Sequence, residues 1–209
     1  MKNNIIDHWE NGNIKYKGKK INGHQCGLWT YYYENGIKRK EGLYDGYIGY
    51  GEKEGIWTYW NEDGVKTSDV IMPENIQINY YDNGIISSKG KRVYASGRGI
   101  SWLPSSRESG RGFVFGHKYN RIGNWKYYFE NRQIKKVCNY IIARKMSRYN
   151  GLVKRYYEDG TKKSEQNYYK GFEYGEEIWW DENGKVNRYR KHNNKLIAII
   201  KKLGEGEVV

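Results

Sequence analysis

The chain has little of what usually builds a core. Leu, Ile, Val and Phe together supply 40 of its 209 residues, and mean hydropathy is −1.01. Its longest apolar run is the five residues Leu196 to Ile200, far short of the roughly 20 that a membrane-spanning helix requires. The opening Met1 to Asn13 is polar throughout, which argues against a secretory signal and for a cytoplasmic protein. Cysteine is nearly absent too. Cys26 and Cys138 are the only two, too few for a disulfide framework in a chain of this size, and they read as free thiols.

The same scarcity bears on chemistry. His24-x-Cys26 is the only close pair of metal-type ligands, with His8, His117, Cys138 and His192 scattered singly. Zinc wants four convergent ligands, so no metal is expected. Cys138 has no histidine at a telling spacing, and no G-x-S-x-G element occurs. Gly97-x-Gly99 and Gly110-x-Gly112 lack the strand–loop–helix setting and the lysine of a phosphate-binding loop. The expectation is a protein that is not an enzyme and carries no cofactor.

Aromatics are what the chain does have: 22 Tyr and 8 Trp. Poverty in aliphatics and a net charge of +13 would otherwise point to disorder, but disordered chains are short of aromatic residues. Each aromatic ring buries a large area, so the expected core is thin and aromatic.

The aromatics recur. Aligned on Asn11-Gly12, Asn35-Gly36, Asp63-Gly64, Asn83-Gly84, Asp159-Gly160 and Asn183-Gly184, with Asn131-Arg132 in a seventh place, the units lie 20 to 28 residues apart except for one gap of 48. That gap hides one degenerate unit. An acid stands two places before each second turn residue: Glu10, Glu34, Glu62, Asp82, Glu130, Glu158 and Glu182. Trp29, Trp57 and Trp125 stand seven before, and Gly27, Gly55, Gly123, Gly151 and Gly175 nine before. Asn-Gly or Asp-Gly between extended segments is a hairpin signal, and a type I′ turn is expected, with positive φ at both central residues. Period-two alternation then puts Trp29 and Tyr31 on one face and Thr30 and Tyr32 on the other. An acid that repeats once per hairpin serves the hairpin and is not a catalytic carboxylate.

The segments Gly27-Leu-Trp-Thr-Tyr-Tyr-Tyr-Glu-Asn-Gly36 and Gly55-Ile-Trp-Thr-Tyr-Trp-Asn-Glu-Asp-Gly64 resemble the MORN repeat in its bacterial variant, G-x-W-x-x-Y-Y-x-N-G. The resemblance runs from about Asp7 to Arg190, with a weak stretch from Ile85 to Tyr119. It implies an all-β fold: one elongated antiparallel sheet of about eight tandem hairpins, one of them degenerate, forming a single domain over residues 1–209. It brings no catalytic residues. It also implies protein–protein contacts, with an antitoxin-like role for many bacterial members. The atypical tail from Lys191 to Val209 is expected to cap the array.

Charge is concentrated. Residues 1–83 carry net −2, residues 84–170 net +15 and residues 171–209 net zero. An AT-rich genome would enrich Lys, Asn, Ile and Tyr, but along the whole chain. Inside the basic stretch the repeat breaks at Ser96 to Gly112, where Arg98, Arg107 and Arg111 sit among Gly and Ser with Trp102. The bland reading of that segment is a decayed repeat. The functional reading makes Arg98, Trp102, Arg107, Arg111, Lys118, Arg121, Arg144, Lys145 and Arg148 the binding residues. An acidic protein is the partner expected, steered by the field of the basic region. Nucleic acid, held by phosphate contacts and stacking, is the alternative, and an anionic membrane surface ranks third.

Overall fold

The computed structural model describes residues 2–45, 51–96, 99–101, 118–143 and 146–192, with sixteen β-strands and no helix among them. The chain divides into two compact units, Met1–Tyr119 and Asn120–Val209. In the first, β1 (Lys2–His8), β2 (Ile14–Ile21), β3 (His24–Tyr32), β4 (Lys38–Asp45), β5 (Lys53–Trp60), β6 (Lys66–Met72), β7 (Ile76–Tyr80) and β8 (Ile86–Ser96) pair antiparallel in chain order. A short β9 (Gly99–Ser101) folds back on β8, inside the stretch expected to hold the degenerate unit. The second unit holds β10 (Lys118–Tyr128, starting just ahead of it), β11 (Ile134–Ala143), β12 (Met146–Tyr149), β13 (Gly151–Tyr156), β14 (Lys162–Tyr169), β15 (Phe172–Trp180) and β16 (Val186–His192). Here β12 and β13 lie in succession along β11, and the rest pair antiparallel in chain order. The all-β tandem-hairpin reading holds within each unit. The capping stretch expected beyond His192 lies outside the described residues.

Each unit has its own buried indoles, and in the first unit Trp29 and Trp57 each lie over the backbone of the preceding strand. Trp29, Trp57 and Trp125 are almost wholly buried. A Cβ on Gly18 would sit 2.2 Å from the Trp29 ring, and one on Gly42 would sit 2.3 Å from the Trp57 ring. Only a residue without a side chain leaves that space. The indole N–H groups donate to the next carbonyl along, Trp29 to Lys19 at 3.0 Å and Trp57 to Leu43 at 3.0 Å. Tyr44 bridges the two indoles edge-on, with ring centroids 6.2 Å and 5.0 Å away.

The ladder makes room for this by a local slip. Between the pairs Lys17↔Thr30 and Lys19↔Cys26, strand β3 advances four residues while β2 advances two, and β5 against β4 repeats the slip between Glu41↔Thr58 and Leu43↔Glu54. Gly27 and Gly55 stand in these bulges with φ of +64°. A bulge bends the strand and re-aims the next side chain, and here it aims the tryptophan.

The expected type I′ turns are not found at the aligned dipeptides. Only the second residue has positive φ, as at Gly36 (+84°), and the loop closes by Gly36 N–H to Tyr33 carbonyl (3.0 Å) and Tyr33 N–H to Ile37 carbonyl (2.8 Å). This is a three-residue loop ending in a left-handed residue, the next commonest hairpin type. Asparagine fits it for another reason: the Asn35 side-chain oxygen accepts the Ile37 N–H at 3.0 Å. Paired positive φ occurs instead at the other strand ends, at Asn22-Gly23 and Lys170-Gly171.

The turns also stitch neighbouring repeats. Asn11 donates to the Glu34 carbonyl at 2.8 Å, Asn35 to Glu62 at 3.0 Å and Asn131 to Glu158 at 2.8 Å. Tyr33 and Tyr157 donate to the carbonyls of Trp60 and Trp180, each at 2.9 Å. The recurring acids are exposed, and three of them, Glu34, Glu62 and Glu158, lend their backbone carbonyls to this seam.

Arg132 takes the left-handed turn position at φ +69° that glycine holds elsewhere, so Arg132→Gly should stabilise the chain by about 1 kcal/mol in denaturant unfolding. Gly42→Ala drives a methyl into the Trp57 ring and should destabilise by about 1–3 kcal/mol or more; an unchanged unfolding midpoint would refute the packing role.

Candidate functional site

In the second unit the same face carries charge. Along β10 and β11 the pleat sets Trp125 opposite Cys138 and Tyr127 close to Lys136, and β11 sets Tyr140 opposite Tyr149 of β12 and Lys136 opposite Arg155 of β13. Tyr140 and Tyr149 stack at 4.9 Å, and Tyr149 meets Tyr168 of β14 at 5.1 Å. Three cations gather on this aromatic patch. The Arg121 guanidinium lies 5.0 Å, 5.8 Å and 6.0 Å from the centroids of Trp125, Tyr127 and Tyr140. Lys136 Nζ lies 3.9 Å from the Tyr127 centroid and donates to the Tyr149 hydroxyl at 3.1 Å. Arg155 reaches the Ser164 hydroxyl at 3.5 Å and the Tyr168 hydroxyl.

Titration behaviour reports the convergence. Burial pushes the Cys138 thiol up, against the opposing pull of Lys136, Arg121 and Arg155. Burial also raises Tyr127 and Tyr140. It pushes the Tyr149 phenol up as well, but hydrogen bonds from Tyr140 and Lys136 outweigh it and leave Tyr149 below the ordinary value. A thiol held protonated at 1% exposure is a poor nucleophile. The patch concentrates positive charge on an aromatic face.

The nine residues singled out from sequence fare differently. Arg121 belongs to the patch. Arg148 stands between Ser147 and Tyr149, so the pleat sends it to the face opposite Tyr149, where its side chain packs over Gly171. Lys118 lies in β10. Arg98, Trp102, Arg107, Arg111, Arg144 and Lys145 lie outside the described residues. Charge alone does not single out Lys136 and Arg155, because only the register brings them together; their signal in the sequence is their place in the repeat, four after one turn and five before the next.

At the last hairpin the core column turns polar. Gln166 and Glu177 face each other where Gly42 and Trp57 stand in the first unit, and Glu177 is only 8% exposed. Its carboxylate accepts from Trp179 Nε1 at 2.7 Å and meets His192 Nε2 at 3.0 Å. Burial pushes this carboxyl up, but the Trp179 and His192 bonds and the Arg188 charge outweigh it and hold it below the usual range. Among the described residues no group of three or more His, Cys, Asp or Glu could hold a metal ion, and no helix is long and apolar enough to cross a membrane.

Comparison with known families gives a match. The MORN repeat variant fits residues 25–45, 149–170 and 173–194, which are the β3–β4, β13–β14 and β15–β16 hairpins. No curated protein matches the chain.

Glu177 generates a pH prediction. A carboxyl depressed on folding stabilises the fold above the unfolded pKa of about 4.3, and that contribution is lost as pH falls through the folded value. Urea unfolding of the wild type should therefore weaken below about pH 4, and Glu177→Gln should flatten this acid limb; parallel profiles for the two proteins would contradict the assignment.

Proposed function

We propose, from the match of three of its hairpins to the MORN repeat variant, that the chain is a non-catalytic repeat scaffold that binds an acidic protein through the Arg121–Lys136–Arg155 face of the second unit. One observation carries the reading. Three cations share an aromatic face on which none of them has a carboxylate at ion-pair distance among the described residues. Solvated surface lysines and arginines arise anywhere in a basic chain, but cations held in place over rings present a fixed field.

The same geometry favours protein over nucleic acid. Base stacking needs an open ring face, and Trp125, Tyr127, Tyr140 and Tyr149 are packed against each other or covered by Arg121 and Lys136. Carboxylates of an acidic partner need only the cations. The antitoxin or immunity role implied by the family is one form such a module takes, since a rigid surface that masks an acidic partner needs no chemistry of its own. Both cysteines are free thiols buried in the fold, which suits the cytoplasmic location that belongs to this proposal.

The test is affinity capture with the full chain at low salt, with and without nuclease, alongside Arg121→Glu. One acidic protein, retained at fixed stoichiometry after digestion and weakened about tenfold or more by Arg121→Glu, is the expected result. Recovery of nucleic acid, with every protein lost on digestion, would overturn the reading.

A further inference from the structure

The repeat supplies an internal comparison. One register position sets the residue four places after a turn against the residue five places before the next, on the indole face. The pairs there are Tyr16↔Tyr31, Lys40↔Tyr59, Ser68↔Asn79, Lys136↔Arg155 and Ser164↔Trp179. Four of these five are unremarkable neighbours. In the second, the Lys40 ammonium lies 4.1 Å from the centroid of the Tyr31 ring, with tyrosine also opposite it. Only Lys136↔Arg155 sets two cations directly across from each other, where side chains are roughly 5 Å apart at Cβ and like charges repel.

Among the described residues no carboxylate neutralises the pair. Lys136 bonds to the Tyr149 hydroxyl, and Arg155 to the hydroxyls of Ser164 and Tyr168. Glu165, whose neighbours in the chain are Ser164 and Gln166, points to the other face and serves Lys154 at 3.8 Å and Lys162 at 2.8 Å. Glu173 meets the Tyr168 hydroxyl at 3.4 Å and His192 at 3.7 Å. Lysine offers three N–H donors and arginine five, so most of the donors of this half-buried pair have no acceptor among the described protein groups. The planar arginine fork matches a two-oxygen anion, and the ammonium adds a point charge beside it.

We propose that Lys136 and Arg155 form an oxyanion seat that takes a side-chain carboxylate of the acidic partner. This rests on the partner reading above and names the contact at its centre. The tyrosine ladder Tyr140, Tyr149 and Tyr168 walls one side of the seat and fixes the lysine through Tyr149. An anion there converts a repulsive cross-strand pair into a bridged one, so binding and folding of the second unit reinforce each other.

The experiment is thermal unfolding of the full chain at constant ionic strength, titrated with a glutamate-rich peptide, with inorganic phosphate and with chloride. Arg155→Tyr restores the residue that faces Lys40, and Arg155→Gln removes the charge with less change in shape. The peptide should raise the wild-type Tm by about 3 °C at tenfold excess over its dissociation constant, and chloride should not. Both variants should unfold at or above the anion-free wild-type Tm and lose the peptide response, with peptide affinity down about tenfold or more. A peptide effect equal to that of chloride, or a full response retained in Arg155→Gln, would overturn the seat. A response to phosphate alone would overturn the carboxylate assignment. A peptide response abolished by Arg155→Gln while partner capture is undiminished would keep the seat and remove the partner from it.

Discussion

Trp29 and Trp57 each occupy the space that a side chain would need on the strand before, and the rest of the first unit answers to that contact. A two-stranded hairpin cannot bury a face by itself. Here the indole of one hairpin closes over the glycine of the previous one, Trp29 over Gly18 and Trp57 over Gly42, so a core only one side chain thick is completed by its neighbour. The slip at Gly27 and Gly55 exists because an indole leaving a regular ladder would stand upright; two extra residues on the strand lay it over the glycine. The seam of asparagine and tyrosine bonds at the turns then holds successive hairpins in phase. Each such bond contributes on the order of 1 kcal/mol or less, which is small beside the roughly 3–5 kcal/mol of a buried aromatic side chain. Packing sets the repeat, and the turns keep its register.

The contact is one of complementary size, so the column tolerates other pairs that fill the same space. Val70 faces Gln77 in the first unit, and in the second Gln166 faces Glu177 while Cys138 and Val153 share one buried cluster. Conserving volume across facing positions preserves packing while changing its chemistry. Where Gly–Trp gives way to polar pairs, the face loses its aromatic seal and becomes a place for charge. The change is graded along the chain: a bridged indole pair at Tyr44, a tyrosine ladder with cations at Tyr140, and a carboxylate–histidine contact at Glu177. Function can therefore differ between units built on one repeat.

How much of this is legible in the sequence depends on how local the cause is. The hairpins, their order and the burial of Trp29 and Tyr31 follow from turn residues and period two, which act over a few residues. The turn type does not follow, because asparagine serves both a left-handed position and a side-chain cap; the five-residue closure from Tyr33 to Ile37 decides it. The site is less legible still. Arg121 can be picked out by charge alone. Arg148 and Tyr149 are adjacent in sequence yet face opposite ways, and Lys136 and Arg155 are nineteen positions apart yet directly paired. A two-residue bulge lies between these cases, and counting along the strand without it assigns the wrong partners. Gly151, with φ +86°, was visible as part of the repeat, but its effect on register was not.

The bulk composition makes the lysine–arginine pair more informative than its charge alone. A genome rich in A and T would enrich lysine and tyrosine together, and the Lys40↔Tyr59 pair is the outcome such a bias produces. Arginine in the tyrosine place runs against that bias. It also runs against packing, since tyrosine fills the face and accepts the ammonium on its ring, and against electrostatics, since the like charge opposite repels. A substitution opposed by composition, packing and charge at once is hard to hold by drift in the isolated fold. What turns the repulsion into attraction is an anion between the two cations, and so the residue that makes least sense for folding is the one that best defines the site.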